Sequence, residues 1–155
     1  MMKMKAFFRL LMCSVALFAF AACSSGDDDP VVDLSQRQYV GDFVVDQNDG
    51  TTYMDENVKI SIAFNEFTNE AVMTFYQVKF SANMPVRLDM VVSGITYSAS
   101  STEIRISGNR IVPYAMGGPF EEYMITDFVG HITDNKITFS MTCGEFPVIF
   151  TGKPL

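Results

Sequence analysis

The sequence predicts an all-β domain, folded as an antiparallel up-and-down barrel of about eight strands. Three observations point there. From residue 38 onward, apolar and polar residues alternate with period two in one run after another. Turn-forming residues fall between the runs. Beyond residue 36 there is no stretch of useful length with helical periodicity.

Two segments precede the domain. Lys3, Lys5 and Arg9 form a basic start, and Leu10 to Ala22 is then apolar, broken only by Cys13 and Ser14. A spanning helix needs about 20 apolar residues, so this run is short for an anchor. A positive flank, a short apolar core and the small residues Ala21 and Ala22 describe a secretory signal peptide over residues 1–22. Residues 23–36 are polar, acidic and without periodicity, as expected of a flexible tether. The domain then occupies residues 37–155.

Strand assignments follow the alternation. Val58, Ile60, Ile62 and Phe64 fall on one face, with Lys59 and Ser61 opposite. Val86, Leu88, Met90 and Val92 oppose Arg87 and Asp89, and Ile137, Phe139 and Met141 alternate with Thr138, Ser140 and Thr142. Half-buried strands produce this pattern, and β-branched and aromatic residues favour it. The expected strands are 38–46, 56–64, 71–80, 85–92, 102–107, 110–115, 122–132 and 136–142, with a ninth, 146–152, closing the chain. Asn48-Asp49-Gly50 and Asp134-Asn135 supply turn residues tolerant of positive φ. Further turns are marked at Asn83, Ser107 and Met116. A barrel is preferred to a sandwich because several strands are apolar on both faces and consecutive hairpins suit a meander. Closure also removes exposed sheet edges.

Charge and cysteines narrow the function classes. Cleavage before Cys23 removes 22 residues with three basic and no acidic side chains, leaving 133 residues with a formal charge of −10. Phosphate contacts need clustered Lys and Arg, so nucleic acid is excluded as a partner, and an anionic surface is disfavoured. With Cys13 removed and Cys23 committed elsewhere, Cys143 stands alone, and no internal disulfide forms.

Phe20 to Cys23, "FAAC", resembles the bacterial lipobox, in which small residues precede a lipidated cysteine. The resemblance implies a diacylglyceryl group on Cys23 and, with two or three acyl chains, a stable anchor. Phe20 stands where leucine is usual. "SSGDDD" resembles the acidic export signal of Bacteroidetes surface lipoproteins, which implies that Asp27, Asp28 and Asp29 direct the chain to the cell surface. "YVGDFVV", "MPVRLDMVVSGI" and "FVGHITDNKITFSM" resemble the calycin-like, lipocalin-related barrels of Bacteroidetes lipoproteins, over most of residues 38–152. In lipocalins a Gly-x-Trp on the first strand closes the barrel floor under an arginine. Here Gly41-Asp42-Phe43 places Phe43 in the tryptophan's position, with a weaker face for a cation and no N–H.

Catalytic groups are sparse. His131 is the sole histidine; alternation puts Tyr123, Ile125, Asp127 and Val129 on its face, with Asp127 about 13 Å along the strand, beyond hydrogen-bond reach. No serine sits in a nucleophile elbow, and no metal-ligand spacing occurs. Glu121 and Glu122 read as a solvated loop. No cofactor and no enzymatic activity are expected. Phe75, Tyr76, Met90, Phe128, Phe139 and Met141 lie mid-strand, where inward side chains either fill a barrel or line a cavity for a small apolar ligand. The expected function is thus a surface-tethered, non-catalytic lipoprotein that binds a small apolar molecule in or at the barrel. The alternative is an accessory subunit of an outer-membrane assembly, binding protein through loops such as "AMGGPFEE" and outward positions such as Val91.

Overall fold

A computed structural model describes residues 34–155 of the chain. Cys23, Asp27, Asp28 and Asp29, with the leader and most of the tether, lie outside the described residues. Ten strands form one sheet: β1 (Arg37–Asp46), β2 (Thr52–Asn65), β3 (Glu70–Val78), β4 (Leu88–Ala99), β5 (Ile104–Gly108), β6 (Tyr114–Ala115), β7 (Gly118–Pro119), β8 (Ile125–Thr133), β9 (Lys136–Cys143) and β10 (Phe146–Pro154). Eight of them make the barrel. Neighbours run β3-β2-β1-β10-β9-β8-β5-β4, and β4 pairs back onto β3 to close the ring. Every pairing is antiparallel, so the barrel is an up-and-down meander.

The short pair β6 and β7 is an insertion between β5 and β8. It fills a gap where β4 diverges from β5. Met90 and Val91 at the start of β4 pair with Ala115 and Tyr114, and Ile111 bridges Ile125 of β8. The expected strand over 110–115 is thereby reduced to two residues, since Pro113 offers no N–H to a ladder. Met116 and Gly117 take φ of 53° and 83°, the two positive values that a tight hairpin turn needs. Asp134 and Asn135 close the β8–β9 hairpin, pairing Thr133 with Lys136, but neither takes positive φ.

Bulges explain where strands outrun their expected ends. The 85–92 strand begins at Leu88 and continues to Ala99, because Gly94 (φ 80°) bends it without stopping it. Val86 falls before the strand and is exposed rather than inward. Asn57, Gln77 and Asp127, at φ 58°, 53° and 53°, mark further register shifts in β2, β3 and β8. Side chains from adjoining segments catch the N–H that each of these three turns outward. Asn57 N donates to Asp42 Oδ1 (3.0 Å), Gln77 N to Asp89 Oδ1 (2.9 Å) and Asp127 N to Asn109 Oδ1 (3.3 Å). The bulge at Asp127 also shifts the face alternation. Ile125 is buried while Val129 and His131 are exposed, so the five residues expected on one face divide between two.

The core is a column of rings. Phe43 of β1 lies 5.4 Å from Phe75 of β3, 6.0 Å from Phe139 of β9 and 4.9 Å from Phe150 of β10, so it touches three walls. Gly41 allows β1 and β10 to approach at this level: a Cβ there would sit 2.0 Å from the Thr151 carbonyl oxygen. Truncating Phe43 to Ala should cost about 3–5 kcal/mol, the range for deleting a buried ring. Urea denaturation of the domain measures it; a loss below about 1 kcal/mol would mean that neighbouring rings collapse into the space.

Candidate functional site

Five of the six side chains singled out in the sequence converge inside the barrel. Phe75, Met90, Phe128, Phe139 and Met141 are all buried. Phe139 packs against Phe75 at 6.0 Å, Phe128 at 5.2 Å and Phe150 at 5.0 Å. Tyr76 is not among them. It stands on the outer wall of β3, 36% exposed, its hydroxyl 3.1 Å from Ser61 Oγ. Its neighbour Phe75 points inward, and regular alternation along β3 turns Tyr76 outward; the bulge comes only at the next position, Gln77.

Both ends are closed by side chains. At the end where β1 finishes, Phe80 leaves β3 and folds inward, 6.3 Å from Phe43 and 5.3 Å from Tyr123, and Phe120 stacks on Tyr123 at 4.9 Å. Gln47 Nε2 donates to the Phe80 carbonyl (2.9 Å) and fixes that segment. At the other end buried Tyr39, Ile62, Ile95, Ile104, Ile132 and Ile137 fill the mouth. Sequence reasoning missed the plug formed by Phe80, Phe120 and Tyr123. Phe80 lies beyond the end of β3, and Phe120 and Tyr123 precede β8, so the faces that alternation gives the expected strands 71–80 and 122–132 do not reach them.

One buried charge sits at the plugged end. Asp55, cross-strand partner of Phe43, is 2% exposed. Its carboxylate accepts from Arg87 Nη1 at 3.0 and 3.1 Å and from Lys79 N at 2.9 Å, while Arg87 Nη1 also donates to the Gln77 carbonyl (2.7 Å). An arginine thus lies at the level of Phe43, with its guanidinium committed to the carboxylate. The pair staples the β3–β4 loop across the plug. Arg87 is half-exposed, so solvent screens its charge; the carboxylate beneath it is what burial makes costly to leave unpaired.

Recesses occur on the outer wall. A groove of about 720 Å³ is lined by Gln38, Glu56, Lys59, Tyr76, Gln77 and Arg87. Another, of about 440 Å³, runs beside Val44, Thr52, Ser140, Pro147 and Ile149. In the first, Gln77 Nε2 is taken by Asp89 (2.9 Å), so an aromatic face and mixed charges remain for a polar or mixed ligand. His131 is exposed on β8, with Nδ1 3.5 Å from Glu103 Oε2. Arg105 Nε donates to the same carboxylate at 2.7 Å, and this bond holds Glu103 below the usual carboxylate range. Glu103, rather than Asp127, is therefore the acid beside His131. Glu121 and Glu122 form a single exposed 3-10 turn with Tyr123. Among the described residues no three His, Cys, Asp or Glu side chains gather in a metal-holding group.

Cys143 is fully buried, donates to the Tyr123 carbonyl (3.6 Å), and has its pKa pushed by burial from 9.0 up to about 12. A thiol so protonated is no nucleophile near neutral pH. Because the folded state holds this proton more tightly than the unfolded chain, stability is intact below about pH 9 and falls as pH rises toward 12. Burial raises Tyr39 and Tyr123 in the same direction. Cys143→Ala should flatten the alkaline limb of a stability–pH curve from urea titrations, whatever its uniform cost; an unchanged slope between pH 9 and 12 would refute the assignment. No family model, curated protein or solved structure matches the chain, so its reading rests on this geometry and on the sequence.

Proposed function

We propose that the chain is a non-catalytic binding module, lipid-anchored through Cys23 to a bacterial outer membrane and displayed on the cell surface, which engages a protein partner through one rim of its barrel. The lipobox-like "FAAC", the acidic run Asp27 to Asp29 and the calycin-like barrel of Bacteroidetes lipoproteins that the chain resembles support the anchor and address. The observation that carries the binding mode is where apolar side chains lie. The interior is occupied by the chain's own rings, whereas Val86, Tyr114 and Met116 are 49%, 53% and 74% exposed. All three lie in the β3–β4 loop and the β6–β7 hairpin, at the rim opposite the start of β1. A tether joined to Arg37 leaves this rim pointing away from the membrane. Half-buried Val91, paired with Tyr114, extends the apolar surface down the wall. Clusters of this kind mark interaction surfaces more often than scattered single residues do.

A second reading, a small molecule held at the barrel, draws on the groove beside Tyr76. Native mass spectrometry of the purified domain separates the two: a retained small molecule favours the groove, and an unliganded domain favours the rim.

Palmitate labelling should be abolished by Cys23→Ala; labelling that persists would remove the anchor. On intact cells, chemical cross-linking should give a stoichiometric partner, lost when Val86→Glu and Met116→Glu are combined. Both positions are exposed, so the double change should alter stability by only about 0.5 kcal/mol per site. Cross-linking unaffected by it would move the interface elsewhere.

A further inference from the structure

We infer that the opposite rim is a bilayer contact in which Phe67 enters the lipid interface, an inference that rests on the Cys23 anchor proposed above. Phe67 is 99% exposed, at the turn between β2 and β3. The turn is not a loose tip. Phe67 N donates to Asn65 Oδ1 (3.0 Å), Tyr97 N donates to the Asn69 carbonyl (3.2 Å), and Asn69 takes φ of 54°. Beneath it, Phe64 and Tyr97 meet edge to face at 4.9 Å. The backbone is fixed and the ring projects from it, with no intramolecular surface to cover.

The position of this ring decides the occupant. Phe67 shares its rim with Arg37, where the chain enters β1. Cys23 precedes Arg37 by 14 residues. A chain of that length reaches at most about 50 Å. An anchored barrel therefore keeps this rim close to the membrane, at an effective concentration where one aromatic side chain adds a second, weak attachment. The other connections on the rim, residues 100–103 and 134–135, are short and polar. Glu66 and Glu70 flank Phe67, so the ring's immediate surroundings oppose an anionic headgroup layer and leave a neutral, zwitterionic one.

The chain contains no tryptophan, so Phe67→Trp installs a single fluorophore and Met116→Trp installs one at the far rim. Each full-length lipidated variant would be reconstituted into phosphatidylcholine vesicles carrying brominated acyl chains, with lipid on Cys23 verified by mass spectrometry. The expected result is blue-shifted emission and quenching for Phe67→Trp, several-fold greater than for Met116→Trp. Equal quenching at both sites, or none at either with Cys23 lipidated, overturns the inference and leaves the anchor standing. A blue shift in native outer membranes that is missing in pure lipid assigns the ring to a protein, which also overturns it. Absence of lipid on Cys23 removes the anchor itself, and this inference with it.

Discussion

Closure of β10 onto β1, the last strand onto the first, is the constraint from which the other features of this barrel follow. A meander of eight antiparallel strands has two free edges until its end strands meet, and unpaired edges invite association with other chains. Bringing them together demands curvature that regular strands do not have. Bulges at Asn57, Gln77, Gly94 and Asp127 supply it, and three of them are fastened by Asp42, Asp89 and Asn109 accepting the displaced N–H. These exposed polar residues therefore act on the fold. They hold the backbone where it departs from a regular ladder.

Once closed, eight strands leave an interior whose use depends on side-chain volume. In this chain the inward positions carry Phe43, Phe75, Phe128, Phe139 and Phe150, with Met73, Met90 and Met141 between them. Rings that meet at 5–6 Å behave as core. At the level of Phe43, Arg87 grips the buried Asp55. That pairing joins the β3–β4 loop to the barrel, and the same loop carries Phe80 inward and Val86 outward. Sealing one end and exposing apolar surface there are consequences of a single segment's path.

Alternation made the barrel legible from the sequence: β1, β2, β9 and β10 fall where period two places them, within a few residues at each end. The errors cluster where the period changes. Gly94 looks like a break and is a bulge. Asp127 looks like a regular strand residue and resets the phase, separating His131 from Ile125. Pro113 and the Met116–Gly117 turn make an insertion of what reads as a strand of ordinary length. The inward side chains were legible for the same reason as the strands, since a face is fixed once the period is known. Which of them would meet another ring was not, because that depends on the shear between strands far apart in sequence. Phe80, Phe120 and Tyr123 illustrate the limit: a side chain outside a strand has no face to inherit.

β1 and β10 pair from Tyr39–Pro154 to Val45–Val148, and Leu155 N donates to the Gln38 carbonyl at 3.1 Å. Residues 37 and 155 therefore lie side by side at one rim, and a short peptide can span them. Joining those positions and opening the backbone between β5 and β8 would keep every strand pairing while moving the point of attachment to the other rim. A circularly permuted chain of that kind would stand on its head. For a chain anchored as proposed, which way the barrel faces would thus be set by where the polypeptide is cut, independently of the architecture that the cut leaves intact.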